Sequence, residues 1–472
     1  MKKIIFVLFC SFFHLDHCAK KPKCSSTIDF NVFRDETYGL AQITLPRVGS
    51  SSWNFCILFD DNTENQLNLK LSEGILANIH TPVWFANGSP RNKKVSYKLY
   101  EKNLTELGKF DFYQDHSKRS AIVVFHDLKR IEGFVGYYKF QVRKDGPPGN
   151  KVMEYILKDP KPKKLASLFR TNQRSIKKKS AAKIRTLQDL FARVKSSPRG
   201  SEATFEDTSV YPQLLVQVAV SRNWTEAVIQ MLAYWNAVDM LFRVIDKPAV
   251  KINIAGFIVP QNNFTTAWIE NAKIRDAKTG VDKIIIDRNK ALAAQGAHFT
   301  RISKIFDSRK FDFMFAFYNL GPGETANWVG AAYRGPCHSR MFQVATIKNK
   351  INNYIAGAHE LGHLLNATHD IVYPMCKESH AIMSVSAADG DNANLLWSEC
   401  TTDAISAFFK NPVNFKCLRN CPETKPTCSQ FPIPQKRVNK VIQNQPKSAG
   451  ESRDTRTALG PWNILDRLKR RS

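Results

Sequence analysis

The stretch AGAHELGHLLNATHD, residues 356–370, restricts the fold more than any other part of this 472-residue chain. His359 and His363 stand four apart, and on an α-helix such residues share one face. Both imidazoles can then reach one ion at the ~2.0–2.1 Å typical of zinc–nitrogen bonds. Glu360 projects beside that face, placed to take a proton from water and pass it to a leaving amine. His369 has to approach from another direction, so the helix must stop and the chain reverse around Asn366. A stop this sharp places a residue in the left-handed region, where glycine is unstrained and asparagine is the best tolerated alternative. Asparagine there costs at most about 1 kcal/mol, well below what metal ligation contributes. Three protein ligands leave a fourth position for water, the mark of a catalytic rather than a structural zinc.

The N-terminus reads as a secretory signal over residues 1–19: Lys2 and Lys3 precede the apolar run IIFVLFCSFF. No later apolar stretch approaches the ~20 residues of a membrane span. Of ten cysteines, Cys10 and Cys18 would leave with the signal; the eight that remain suit disulfides in a secreted chain. The net charge of +27 is uneven: residues 151–200 hold 15 Lys/Arg against 3 Asp/Glu. Such a surface attracts heparan-type polysaccharide or acidic membranes, and nucleic acid is the partner it argues for least in a secreted chain.

Segment 20–156 is strand-like, with short alternating runs such as RSAIVVFHDL and GFVGYYKFQVR between polar turns. It carries no cluster of chemical residues. Segment 157–207 is a basic linker, with Arg170 and Arg174 forming a minimal R-x-x-R processing site. From 208 the pattern changes to strand, helix, strand, helix, strand: VYPQLLVQVAV, a helix opening at Thr225, VKINIAGFIV, KALAAQGAHFTRISKIF and FDFMFAFYNL. That order predicts an α/β fold with a mainly parallel twisted sheet over 208–420. Residues 421–472 read as a short Cys-containing basic tail, mostly disordered.

H-E-x-x-H-x-x-N-x-x-H-D resembles the metal motif of the metzincin zinc proteases, and Asp370 points to their reprolysin (adamalysin/ADAM-like) branch. The resemblance covers about 208–420. With its short Cys-containing tail, the plan is similar to the secreted salivary metalloproteases of ticks. It implies a metzincin catalytic domain behind a β-rich propeptide domain at 20–156. Zn²⁺ is held by His359, His363 and His369, and Glu360 serves as general base and then acid. Met383 in SHAIMSVSA supplies the methionine turn beneath the metal. Trp328, Val329, Gly330 and Ala331 form the edge strand that pairs with substrate. The family's spacing implies bridges Cys337–Cys417 and Cys376–Cys400, leaving Cys421–Cys428 and Cys24–Cys56 by exclusion. For calcium, Asp312 and Asn420 match two of the family's positions, but Gln213 and Leu214 stand where an acidic residue is expected, so calcium is doubtful. Residues 157–207 hold no cysteine for a thiolate switch, so latency would come from steric blockage. Asn87, Asn103, Asn223, Asn263 and Asn366 stand in glycosylation sequons.

The expected function is a secreted zinc metalloendopeptidase, made as a proenzyme and acting on extracellular proteins or peptides. Two alternatives remain: a catalytically weak protein using the same fold to bind host or matrix proteins, and a polyanion binder acting through the basic linker.

Overall fold

Two sheets carry the strand-like and the alternating parts of the chain. The computed structural model describes residues 45–143 and 209–422, together with 26–29, 41–42 and 154–155. Within these, short segments at 59–63, 74, 90–93, 137, 276–283, 307–309, 337–339, 350–352, 378, 386–394 and 421 are not described. The expected signal, the basic linker with Arg170 and Arg174, and almost all of the tail lie outside the described residues.

The first sheet has nine strands and comes entirely from the N-terminal segment. Its central strands, Glu64–Leu71, Phe110–Asp115, Ser120–Phe125, Arg130–Val135 and Tyr138–Arg143, form an antiparallel series. Short polar turns between apolar runs favour this, because antiparallel neighbours need only a tight connection.

The second sheet has seven strands. In chain order they are β1 (Val83–Gly88), β2 (Val95–Leu99), β3 (Gln213–Gln217), β4 (Asn253–Pro260), β5 (Phe313–Tyr318), β6 (Gly330–Ala332) and β7 (Val344–Lys348). Across the sheet they run β6-β7-β5-β3-β4-β1-β2. All neighbours are parallel except the β6–β7 and β1–β2 pairs at the two edges. The architecture is therefore mixed α/β with a mainly parallel sheet behind a β-rich N-terminal region. One feature was not legible in the chain: β1 and β2 come from before the linker and extend a sheet whose other five strands come after it.

The long helices are α1 (Trp224–Phe242), α2 (Arg288–Ile302), α3 (Tyr354–Leu364) and α4 (Glu399–Phe409). Helix α1 starts at Asn223, not at Thr225. The Asn223 backbone is extended and its side chain accepts from the Glu226 N–H at 3.1 Å, while Thr225 already lies within the helix. Every residue from Met231 to Phe242 is buried. An all-round apolar helix needs partners on every side; α1 finds them in the strands Phe110–Asp115, Ser120–Phe125 and Arg130–Val135 and in α3. One core joins Val83, Phe125 and Phe134 to Trp235, Phe315 and Leu361. A second core, on the other face of the sheet, gathers Phe299, Met314 and Trp328 around α2.

Candidate metal centre

Helix α3 is capped by the Asn353 side chain, which accepts from the Ala356 N–H at 3.3 Å, and all its residues from Tyr354 to Leu364 are buried. His359 and His363 project from one face. The helix ends in a Schellman turn: the Asn366 N–H donates to the His363 carbonyl at 2.8 Å and the Ala367 N–H to the Gly362 carbonyl at 2.9 Å. Asn366 has φ of 75°, the left-handed conformation of that motif. The reversal brings His369 back over the helix, with its Nε2 at 3.2 Å from the Nε2 atoms of both His359 and His363.

Three lone pairs meet only if each ring presents the correct nitrogen. His359 Nδ1 lies 2.7 Å from the Ile382 carbonyl and His363 Nδ1 lies 2.9 Å from the Ala367 carbonyl. A carbonyl can only accept, so each Nδ1 carries the proton and each Nε2 is left as the donor atom for a metal. Burial pushes His359 down to about 4 and His363 well below its usual range, and the neighbouring imidazoles add to this. Neutral rings are the form a metal binds.

Glu360 is 2% exposed, and its Oε2 has no hydrogen-bond partner. Burial pushes its carboxyl up to about 8, opposed by the positive charge of Arg288. An orphaned buried carboxylate oxygen beside three converging imidazole nitrogens is costly without a cation or water to meet it. The donor set therefore fits zinc.

The surroundings hold this arrangement from below. Asp370 is fully buried and accepts from Ser379 Oγ at 3.0 Å, Ser398 Oγ at 2.5 Å and Thr401 Oγ1 at 2.9 Å. It thus ties the segment after His369 to the start of α4, where Ser398 is also the N-cap. The Asp370 N–H donates to the Met383 carbonyl at 3.0 Å. Met383 is fully buried, and a Cβ added to Gly362 would come within 2.7 Å of its sulfur. A side chain at that helix position would displace the methionine. The Cys376–Cys400 bridge, with Cα atoms 6.3 Å apart, joins the same loop to α4. Cys417 and Cys56 are also in disulfides, while Cys337, Cys24, Cys421 and Cys428 lie outside the described residues.

Gly330 and Ala331 lie on β6, and Trp328 and Val329 immediately precede it. The Lys348 N–H donates to the Val329 carbonyl at 2.7 Å, and Trp328 Nε1 to the Ile286 carbonyl at 2.8 Å. Among the described residues, β7 is the one strand paired with β6. A Cβ on Gly330 would stand 2.4 Å from Glu360 Oε1. The missing side chain is what lets this strand pass directly over the carboxylate. A cavity of about 310 Å³ opens beside it, lined by Ile286, Arg288, Asn327 and Trp328 among others. Neither the Gly330–Glu360 approach nor Arg288 was signalled by the chain, because both depend on how distant segments pack.

At the calcium positions, Asp312 is buried and accepts from the Gln213 N–H at 2.9 Å. Gln213 Nε2 donates to the Asn420 carbonyl at 2.9 Å.

No protein-family model matches the chain. Over 170 residues it is 33% identical to venom metalloproteinase 2 of Eulophus pennicornis, a match covering 34% of this chain and 40% of that one. Over 224 residues it is 28% identical to venom metalloproteinase 3 of the same organism, covering 44% and 52%. A "disintegrin and metalloproteinase with thrombospondin motifs like" protein of Bombyx mori is 26% identical over 215 residues, covering 40% and 30%. The chain thus spans between 30% and 52% of the length of these relatives. Among solved structures, metalloproteinase-II from Bacteroides fragilis aligns with a TM-score of 0.34 at 11% identity, over 79% of this chain and 93% of that one; at that score the likeness carries no weight. The relatives share a type, and the chain is accordingly a homologue of the reprolysin-type, ADAM-like metalloproteases.

Proposed function

We propose that the protein is a secreted zinc metalloendopeptidase, made as a proenzyme, that hydrolyses peptide bonds of extracellular proteins. The observation that carries this reading is the convergence of three Nε2 atoms, those of His359 and His363 freed by carbonyls on Nδ1 and that of His369 brought in by the chain reversal, beside a buried carboxylate. His359, His363 and His369 would hold the ion. When bound, zinc supplies Lewis acidity that polarises a carbonyl and lowers the pKa of water toward about 7.

The chain's own groups do the rest. The free side of β6 offers backbone hydrogen bonds to an extended peptide, which lays a scissile bond across Glu360. Glu360 takes the proton of the attacking water and returns it to the amide nitrogen as the C–N bond breaks. Asp370 and Met383 touch no substrate; they hold His369 and the floor of the site. The cavity beside Trp328 would take a substrate side chain, with Arg288 at its wall.

The test is hydrolysis of denatured gelatin or casein by the processed protein, with and without 1,10-phenanthroline, beside Glu360→Ala. Cleavage should stop with the chelator and fall by about 10²–10⁴-fold in the variant, which keeps its zinc. A zinc-loaded protein cleaving no faster than Glu360→Ala would overturn the reading.

A further inference from the structure

We propose that the N-terminal β-rich region is a retained subunit of the mature protein, which stays bound without covalent linkage after the basic linker is cut. The inference builds on the proenzyme reading and concerns what processing leaves behind. A removable inhibitor covers a site that is complete without it. Here the region after the linker is incomplete in three separate ways.

Its sheet is incomplete. Strand β1 pairs with β4 in parallel register from Phe257 opposite Val83 to Pro260 opposite Ala86. The Phe257 N–H donates to the Pro82 carbonyl at 2.9 Å and the Gln261 N–H to the Ala86 carbonyl at 2.8 Å. Without β1 and β2 the apolar strand NIAGFIVP would become an exposed edge, a template for aggregation.

Its buried polar groups are incomplete. Asn236, in the middle of α1, is fully buried. Its Nδ2 donates to the carbonyls of Tyr113 at 3.3 Å and Ile122 at 3.1 Å, and its Oδ1 accepts from Gln114 Nε2 at 3.0 Å. All three partners belong to the N-terminal region. Gln114 Nε2 also lies 3.0 Å from Asp239 Oδ2, one turn further along α1. Near the start of that helix, Arg130 bridges the fully buried Glu132 of its own region and Glu226, whose oxygens lie 2.6 and 2.8 Å from the guanidinium. Removing the region would take all three partners from Asn236 and expose the apolar side chains packed around it.

Its packing is incomplete. A Cβ on Gly256 of β4 would stand 2.2 Å from the Trp84 ring, so this glycine forms a seat for an N-terminal side chain. Phe134 packs on Tyr354 with ring centroids 4.8 Å apart, and the Tyr354 hydroxyl donates to the Gly136 carbonyl at 2.7 Å. Tyr354 opens the metal-binding helix itself. The N-terminal region therefore holds the base of α3, while among the described residues it adds no strand to β6, where substrate would pair. It can stay in place without occupying the edge that substrate needs.

The test uses the full chain carrying Glu360→Gln, so that no self-cleavage intervenes, and a site-specific protease sequence placed in the 157–207 linker. After complete cutting, the two fragments are followed by gel filtration in high salt with mass identification of each peak. Co-elution in equal amounts, with separation only in denaturant, is the expected result. Adding Gln114→Ala should raise the dissociation constant of the cut pair by about tenfold or more. Loss of the N-terminal fragment from the cut protein overturns the proposal, whether the remainder stays folded or precipitates. Because the readout is association, this outcome is separate from whether the protein hydrolyses peptides.

Discussion

The two edges of the seven-stranded sheet are opposites. At one, β6 is three residues long, pairs with β7 alone among the described residues, and passes so close to Glu360 that a side chain at Gly330 would push the carboxylate aside. At the other, β1 and β2 extend the sheet beyond β4, with β2 outermost, backed by rings such as Trp84 against Phe306 with centroids 4.8 Å apart. An unpaired edge is a liability unless something uses it. This chain covers the apolar β4, far from the candidate metal site, with two strands from its own N-terminus, so that the outermost strand there is the largely exposed VSYKL of β2. It leaves open the edge beside the metal, where pairing with an extended peptide would align the bond to be cut.

The strongest way to break this contrast is to weaken the N-terminal region and watch the candidate metal site. Phe134→Ala removes a fully buried ring from the core that includes Tyr354 and Leu361. It should cost about 3–5 kcal/mol in denaturant unfolding, and zinc release should move to lower denaturant together with loss of sheet signal. Zinc release at an unchanged midpoint would show that the two sides unfold independently.

Acid should loosen the packing of β2 on α2. His298, on α2, has Nε2 3.1 Å from the hydroxyl of Tyr97 on β2. Burial, helped by Arg301, pushes the imidazole from its ordinary 6.5 down to about 4. The unfolded chain therefore binds the proton first, so this contribution is fully present above pH 6.5 and is lost as pH falls toward about 4. The span corresponds to about 3 kcal/mol. His298→Gln should flatten stability against pH in that window by this amount relative to the parent. Parallel curves for the two proteins would refute the assignment.

On the open side, Gly330→Ala places a methyl against the Glu360 carboxylate while leaving an edge strand able to fold. Peptide hydrolysis should fall by about ten- to a hundredfold, with thermal stability and zinc content nearly unchanged. The smallest effect is expected at the helix stop. Asn366→Gly relieves a left-handed asparagine, so stability should change by less than about 1 kcal/mol and activity should persist. A large loss of activity there would mean that the Asn366 side chain does more than terminate a helix.

The metal centre was largely legible in the chain because its information is local. His359, Glu360 and His363 share one helical face within two turns, and a left-handed residue three positions on returns the chain. Helices α1 and α2 and strands β3, β4 and β5 were legible for the same reason. The cap of α1 was misread by two residues because Thr225 and Asn223 are both good capping types, and only the observed backbone chooses between them. The approach of Gly330 to Glu360 left no trace, since a glycine in a strand carries no mark of what it passes.

By itself, then, the sequence determined the helix that carries His359 and His363, its stop and return, the alternation of strand and helix after the linker, and the strand-rich region before it. These rest on spacings of a few residues, where backbone geometry acts directly. Only the tertiary structure decided that β1 would lie against β4, with Gly88 bound to an asparagine 174 positions away, and that Asn236 would be satisfied by Tyr113, Gln114 and Ile122. Backbone hydrogen bonds are the same for every strand, so which strand pairs with which is set by complementary surfaces across the whole chain and not by any local pattern.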